Sequence, residues 1–65
     1  MNIDKIKNSI GIDLFNFINC LDTSQLIKMR NDLIKDIELF GPILDYQTNL
    51  RRSNELILLN IKLSL

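Results

Sequence analysis

Apolar side chains recur at helical spacing along almost the whole chain. At about 100° per residue, Ile3, Ile6, Ile10, Leu14, Phe17 and Leu21 fall on one stripe. The stripe predicts a helix over 3–20, with Asn2 placed to cap it and Asp4 in a first turn that favours an acid. Ile12, Phe15 and Ile18 form a second, narrower stripe on the far side, so this segment has more than one neighbour to satisfy. Gly11 stands in the middle of the pattern and can split it into two shorter helices.

A second helix is expected over 23–40. Asp22 followed by Gln25 has the spacing of a capping box, and Leu21 with Leu26 the spacing of a hydrophobic staple. Leu26, Met29, Leu33, Ile37 and Phe40 share a face flanked by Ile27 and Ile34, while Lys28, Asn31, Asp32, Lys35 and Glu38 turn to solvent. Gly41 is expected to close the helix in a left-handed cap, with Pro42 opening the next element.

The third helix is expected over 43–62. Ile43, Tyr46, Leu50, Ile57, Ile61 and Leu65 share its main stripe, bordered by Leu44 and Leu58, with Leu56, Leu59 and Leu63 on the opposite side. Residues 59–65 also alternate apolar and polar, the pattern of a half-buried strand. Such a strand would need a partner from outside the chain, which favours the helix. Either way, the last third carries more apolar surface than two neighbouring helices cover.

Length sharpens that conclusion. A 65-residue chain has room for one domain, 1–65, and buries only about 60% of the surface its unfolded form exposes. Small domains often add disulfides, a metal or a partner. Cys20 is the only cysteine and there is no histidine, so neither an intrachain bridge nor a zinc set is available and no cofactor is expected. Apolar residues make up 46% of the chain, yet Ala, Val and Trp are missing, and eleven Ile and twelve Leu carry nearly all of the core. With eight Asn, this composition fits an AT-rich genome such as that of a low-GC bacterium, its phage or plasmid, or an organelle. The formal charge is zero, which supplies no long-range attraction to nucleic acid or anionic lipid. The longest apolar run, Leu56 to Leu59, is far too short for a membrane span, and the N-terminal region lacks the continuous apolar stretch of a signal peptide. A cytoplasmic location, in the cell of origin or in a host, is the expectation.

Catalytic chemistry is sparse. Asp32 and Asp36 are the acids at helical spacing, set among Lys28 and Lys35 as on an ordinary solvated face, and Arg51 with Glu55 reads as a surface pair. Cys20 reads as a small packing residue. The spacing of Ile6, Ile10, Gly11, Ile12 and Phe17 suggests a helix-turn-helix. Lys7 stands where that motif wants a small residue, however, and Asp13, Leu14, Phe15 and Ile18 would make a poor reading helix. Arg30 and Asn54 interrupt apolar stripes. Such residues set register or partner choice, and Arg30 is either an anchor for a partner's carboxylate or a side chain that lays its methylenes along the core edge.

Arg30-Asn31-Asp32-Leu33-Ile34, a turn at Gly41 and Ser53-Asn54-Glu55-Leu56-Ile57 together resemble the small helical-hairpin phosphatases that act on sporulation response regulators. That family carries Ser-Gln-Glu-Leu-Asp in its second helix. Ile57 stands where the essential aspartate would be, so the resemblance implies a relative that binds without catalysing.

The expected fold is therefore all-α: a three-helix bundle, or a helical hairpin plus an extra helix, completed by oligomerisation or a partner. The expected function is protein–protein interaction, as an inhibitor, adaptor or phage-type regulator of a larger host protein, and not as an enzyme. A structural subunit of an assembly is the alternative. The interface residues expected are Phe15, Ile18, Arg30, Leu56, Leu59 and Leu63. The partner expected is another protein chain or a second copy, rather than nucleic acid, membrane or a small substrate.

Overall fold

A computed structural model describes residues 3–64 and contains four α-helices: α1 Ile3–Ile10, α2 Ile12–Asn19, α3 Thr23–Phe40 and α4 Tyr46–Ser64. The chain is an all-α bundle, and no strand occurs among the described residues. Residues 59–64 are helical, which settles the strand-like alternation there in favour of helix. The expected cap at Asn2 and the end of the stripe at Leu65 lie outside the described residues.

The first expected helix is two. Gly11 joins them at φ 95° and ψ 151°, a backbone region open essentially to glycine alone. The break resets the helical phase, and this decides which side chains of α2 turn inward. Ile18, from the narrower stripe, is fully buried, while Phe17, from the main stripe, stands half in water. Leu14 of the main stripe still packs on the core and Ile12 of the narrower stripe is about half exposed, so the reset trades the roles of Phe17 and Ile18 rather than of whole stripes.

The start of α3 forms as its sequence requires. Asp22 Oδ1 accepts from the Gln25 N–H at 2.8 Å, and Gln25 Oε1 accepts from the Asp22 N–H at 3.0 Å. Leu21 and Leu26 both join the core. The far end differs from expectation. Gly41 is right-handed, at φ −51° and ψ −44°, so it makes no left-handed cap. The chain instead tightens into a 3-10 turn over Gly41–Ile43, with Pro42 in that turn rather than at the start of α4. The Leu44 N–H donates to the Phe40 and Gly41 carbonyls, and Asn49 Nδ2 reaches back to the Gly41 carbonyl at 2.9 Å. A side chain from the next helix thus bonds a carbonyl of the turn and ties the turn to α4. Asp45 then caps α4, its Oδ1 accepting from the Thr48 N–H at 2.9 Å.

α3 and α4 form an antiparallel hairpin, and α4 also packs against α1. The core consists of Ile6, Ile10, Ile18, Leu26, Leu33, Leu58 and Leu59, with Leu14, Phe15, Leu21, Met29, Ile37, Leu56, Ile57, Ile61 and Leu63 against it. α4 is the central helix, so apolar side chains on more than one of its faces find cover. The part of the surplus expected at Leu56, Leu59 and Leu63 is therefore absorbed within the chain, while Ile43, Tyr46 and Leu50 stay exposed. Bare apolar surface remains at the other end of the hairpin, where α3 passes into α4.

Candidate functional site

The residues expected to form an exposed interface do not form one. Ile18 and Leu59 are fully buried, and Phe15, Leu56 and Leu63 are half-buried against the chain's own core. The physical reason is the pair of neighbours on α4, together with the phase reset at Gly11. Phe15 is covered further by Lys7, whose Nζ sits 5.7 Å from the ring centroid across the α1–α2 break. Arg30 is half-buried on α3. Cys20, expected to pack, is an exposed free thiol at the C-terminal end of α2.

Two recesses line the helix junctions. The first, of about 410 Å³, lies between α2 and α3 and is formed by Phe17, Leu21 and Met29, with Gln25, Lys28 and Asp32 around them. Its apolar members reach the surface because α2 is turned by Gly11. Leu21 and Met29 keep one side on the core, and Phe17 remains 54% exposed at the edge. Thioether and aromatic side chains make an adaptable apolar floor, since methionine repacks at little cost. Lys28 and Asp32 place both signs of charge at the margin.

The second recess, of about 300 Å³, runs along the α3–α4 seam and is lined by Leu33, Asp36, Thr48, Arg51, Arg52 and Glu55. Here the side of α4 that faces α3 is polar, because the apolar run of that helix begins only at Leu56. Arg52 Nη1 is buried there with no hydrogen-bond partner among the described residues. Burial raises the pKa of Glu55 above the ordinary carboxylate value, and nearby Arg51 and Arg52 oppose that rise without cancelling it. Asp45, at the start of the same helix, moves the other way. Hydrogen bonds from the Thr48 side chain and backbone hold its carboxyl below the usual range. Both shifts have local structural causes.

The polar residues singled out in the sequence are placed as follows. Asn54 is tied to α1 through Ser9. Asp32 and Asp36 fall in different recesses. Ile57, at the position of the phosphatase aspartate, packs against the core, and its neighbour Glu55 faces the seam. A single residue separates α1 from α2, whereas a helix-turn-helix needs a turn of three or four. Among the described residues no three His, Cys, Asp or Glu side chains gather as a metal site, and no helix is long and apolar enough to cross a membrane.

The signal that would have found the α2–α3 recess is Gly11. A stripe that passes through a glycine of positive φ cannot keep its phase, so Phe17 does not follow Ile6 and Ile10 into the core. Compared with protein-family models, curated proteins and solved structures, the chain matches none.

Proposed function

We propose that this chain is a small protein-interaction module, and that the recess between α2 and α3 receives apolar side chains of a larger protein. The observation that carries the reading is Phe17. A large aromatic side chain is left half in water beside Leu21 and Met29, over a recess of about 410 Å³. Covering such an aromatic anchor is how compact interfaces gain most of their affinity. The setting suits a helix or extended segment that offers one or two apolar side chains to a groove. Inhibitor, adaptor and phage-type regulator are the roles that match a module of this size. No catalytic role is part of the reading.

The second reading, a structural subunit, draws support from Ile12, Ile27 and Ile34, which are also exposed and lie outside this recess. A subunit enclosed by neighbours would use apolar surface on several sides at once.

The test is capture from extracts of the source cell, comparing the native chain with Phe17→Asp, followed by titration of the captured protein by calorimetry. At least about tenfold weaker binding is expected for Phe17→Asp with unchanged helicity. Full binding by that variant would remove the recess from consideration. A native chain that folds only among several neighbours would favour the structural subunit.

A further inference from the structure

Where α3 passes into α4, the hairpin carries apolar side chains that the described residues leave largely or partly uncovered. Ile43 is 79% exposed, Tyr46 72% and Leu39 70%, with Phe40 at 45% and Leu50 at 40% beside them in sequence. Leu39 and Ile43 are four residues apart on a continuous right-handed path, because the helix runs directly into the 3-10 turn. Tyr46 and Leu50, at the same spacing within α4, stand one above the other. The turn that holds them is fixed by the Asn49 bond to the Gly41 carbonyl and by the Asp45 cap. These apolar groups are therefore presented on ordered backbone, which lowers the entropy lost on contact.

Area and charge both say what fits them. Taking about 200 Å² for a full large side chain, the five expose on the order of 600 Å². Specific interfaces bury about 1,200–2,000 Å² over both partners, so two such surfaces face to face reach the lower end of that range. The charged groups between residues 35 and 52 are balanced, with Lys35, Arg51 and Arg52 against Asp36, Glu38 and Asp45. A rim of one sign would call for a partner of the other. Mixed signs leave no like-charged surface to oppose the approach of a second copy. The formal charge of zero also leaves no long-range repulsion between copies.

We propose that two copies of this chain pair through the α3–α4 turn, with Leu39, Ile43 and Tyr46 at the centre of a two-fold interface. The pairing shares with the functional reading the premise that uncovered apolar surface is contact surface. It does not use the α2–α3 recess, which stays open for a target in each copy.

The experiment is sedimentation equilibrium of the Cys20→Ser chain from micromolar to millimolar concentration, so that no disulfide contributes. The mass is expected to rise from 7.6 kDa toward twice that value. Ile43→Asp and Leu39→Asp are each expected to weaken pairing by about tenfold or more, with unchanged circular dichroism because both side chains lie outside the core. Ile12→Asp, an exposed apolar position on α2, is expected to pair as the parent does. A parent chain that stays monomeric at millimolar concentration overturns the proposal and leaves the turn to a different partner. So does an assembly larger than two, or a dimer indifferent to both the Ile43 and Leu39 variants. Loss of target binding on Phe17→Asp is read separately, so failure of the pairing and failure of the recess are distinguishable.

Discussion

Asn54 on α4 donates from Nδ2 to Ser9 Oγ on α1 at 2.8 Å, joining residues 45 apart in sequence. Apolar packing between two helices tolerates small slips along their axes, but a hydrogen bond between short polar side chains does not. Asn54 therefore sets which turn of α1 meets which turn of α4, a role its place within an apolar stripe suggests. Asn54→Ala is expected to cost about 1 kcal/mol, measured by urea unfolding. A double-mutant cycle with Ser9→Ala should recover most of that as coupling. Coupling near zero would show that the bond does not hold the register.

Gly11 offers a separate test. An alanine Cβ there would meet nothing within 4 Å, so crowding is not the difficulty. The cost is the backbone itself, and Gly11→Ala should destabilise the chain by about 1–3 kcal/mol in thermal or chemical unfolding. If that substitution is neutral, the break between α1 and α2 is not held as described.

Leu58 and Leu59 are the most enclosed side chains of α4. Truncating either to Ala should cost about 2–5 kcal/mol, a large share of the stability available to so small a domain. Leu59→Lys, which from the sequence would loosen an interface, is expected to unfold the monomer instead, because the ammonium would enter the core without a partner. Circular dichroism separates these outcomes: a folded Leu59→Lys chain with altered mass would return Leu59 to the surface.

Acid should act on Asp45 and Glu55 in opposite senses. The lowered folded-state pKa of Asp45 means its cap contributes above the ordinary carboxylate pKa of 3.8, and the contribution fades as pH falls through the lower folded value. The raised pKa of Glu55 means the folded chain holds that proton more tightly than the unfolded one. Its ionisation therefore costs stability as pH climbs from 4.5 through the raised value. Glu55→Gln is expected to give a modest gain in the urea midpoint at neutral pH and to flatten the profile just above pH 4.5. An unchanged or lower midpoint would mean that Arg51 and Arg52 repay the burial in full.

The second helix was legible almost residue by residue, because Asp22, Gln25 and the staple leucines are local signals that need no tertiary context. The third was legible as a helix but not in its facing. Tyr46 and Leu50 share a stripe with Ile57 and Ile61, yet only the latter pair has a neighbour to pack against, since α1 meets α4 around Asn54. Periodicity states which side chains lie together on a cylinder and is silent on where along its length the cover ends. The recess was missed for a different reason: Phe17 and Ile18 exchange roles at one glycine, and a sum over the whole stripe averages that exchange away. Of the six residues expected at the interface, Ile18 and Leu59 are core for these two reasons.

The long reach of the Ser9–Asn54 bond also governs the order of folding. The α3–α4 hairpin closes through contacts near in sequence, its turn fastened by Asp45 and Asn49, so it forms without waiting for the N-terminal helices. Docking α1 onto α4 closes a loop of about 45 residues and comes after it. Run backward, the same asymmetry should make the α1–α2 segment the first to leave. Its amides should exchange with solvent through partial openings while those of α3 wait for global unfolding, and the detached state would bare the apolar face of α4 that lies beside Asn54.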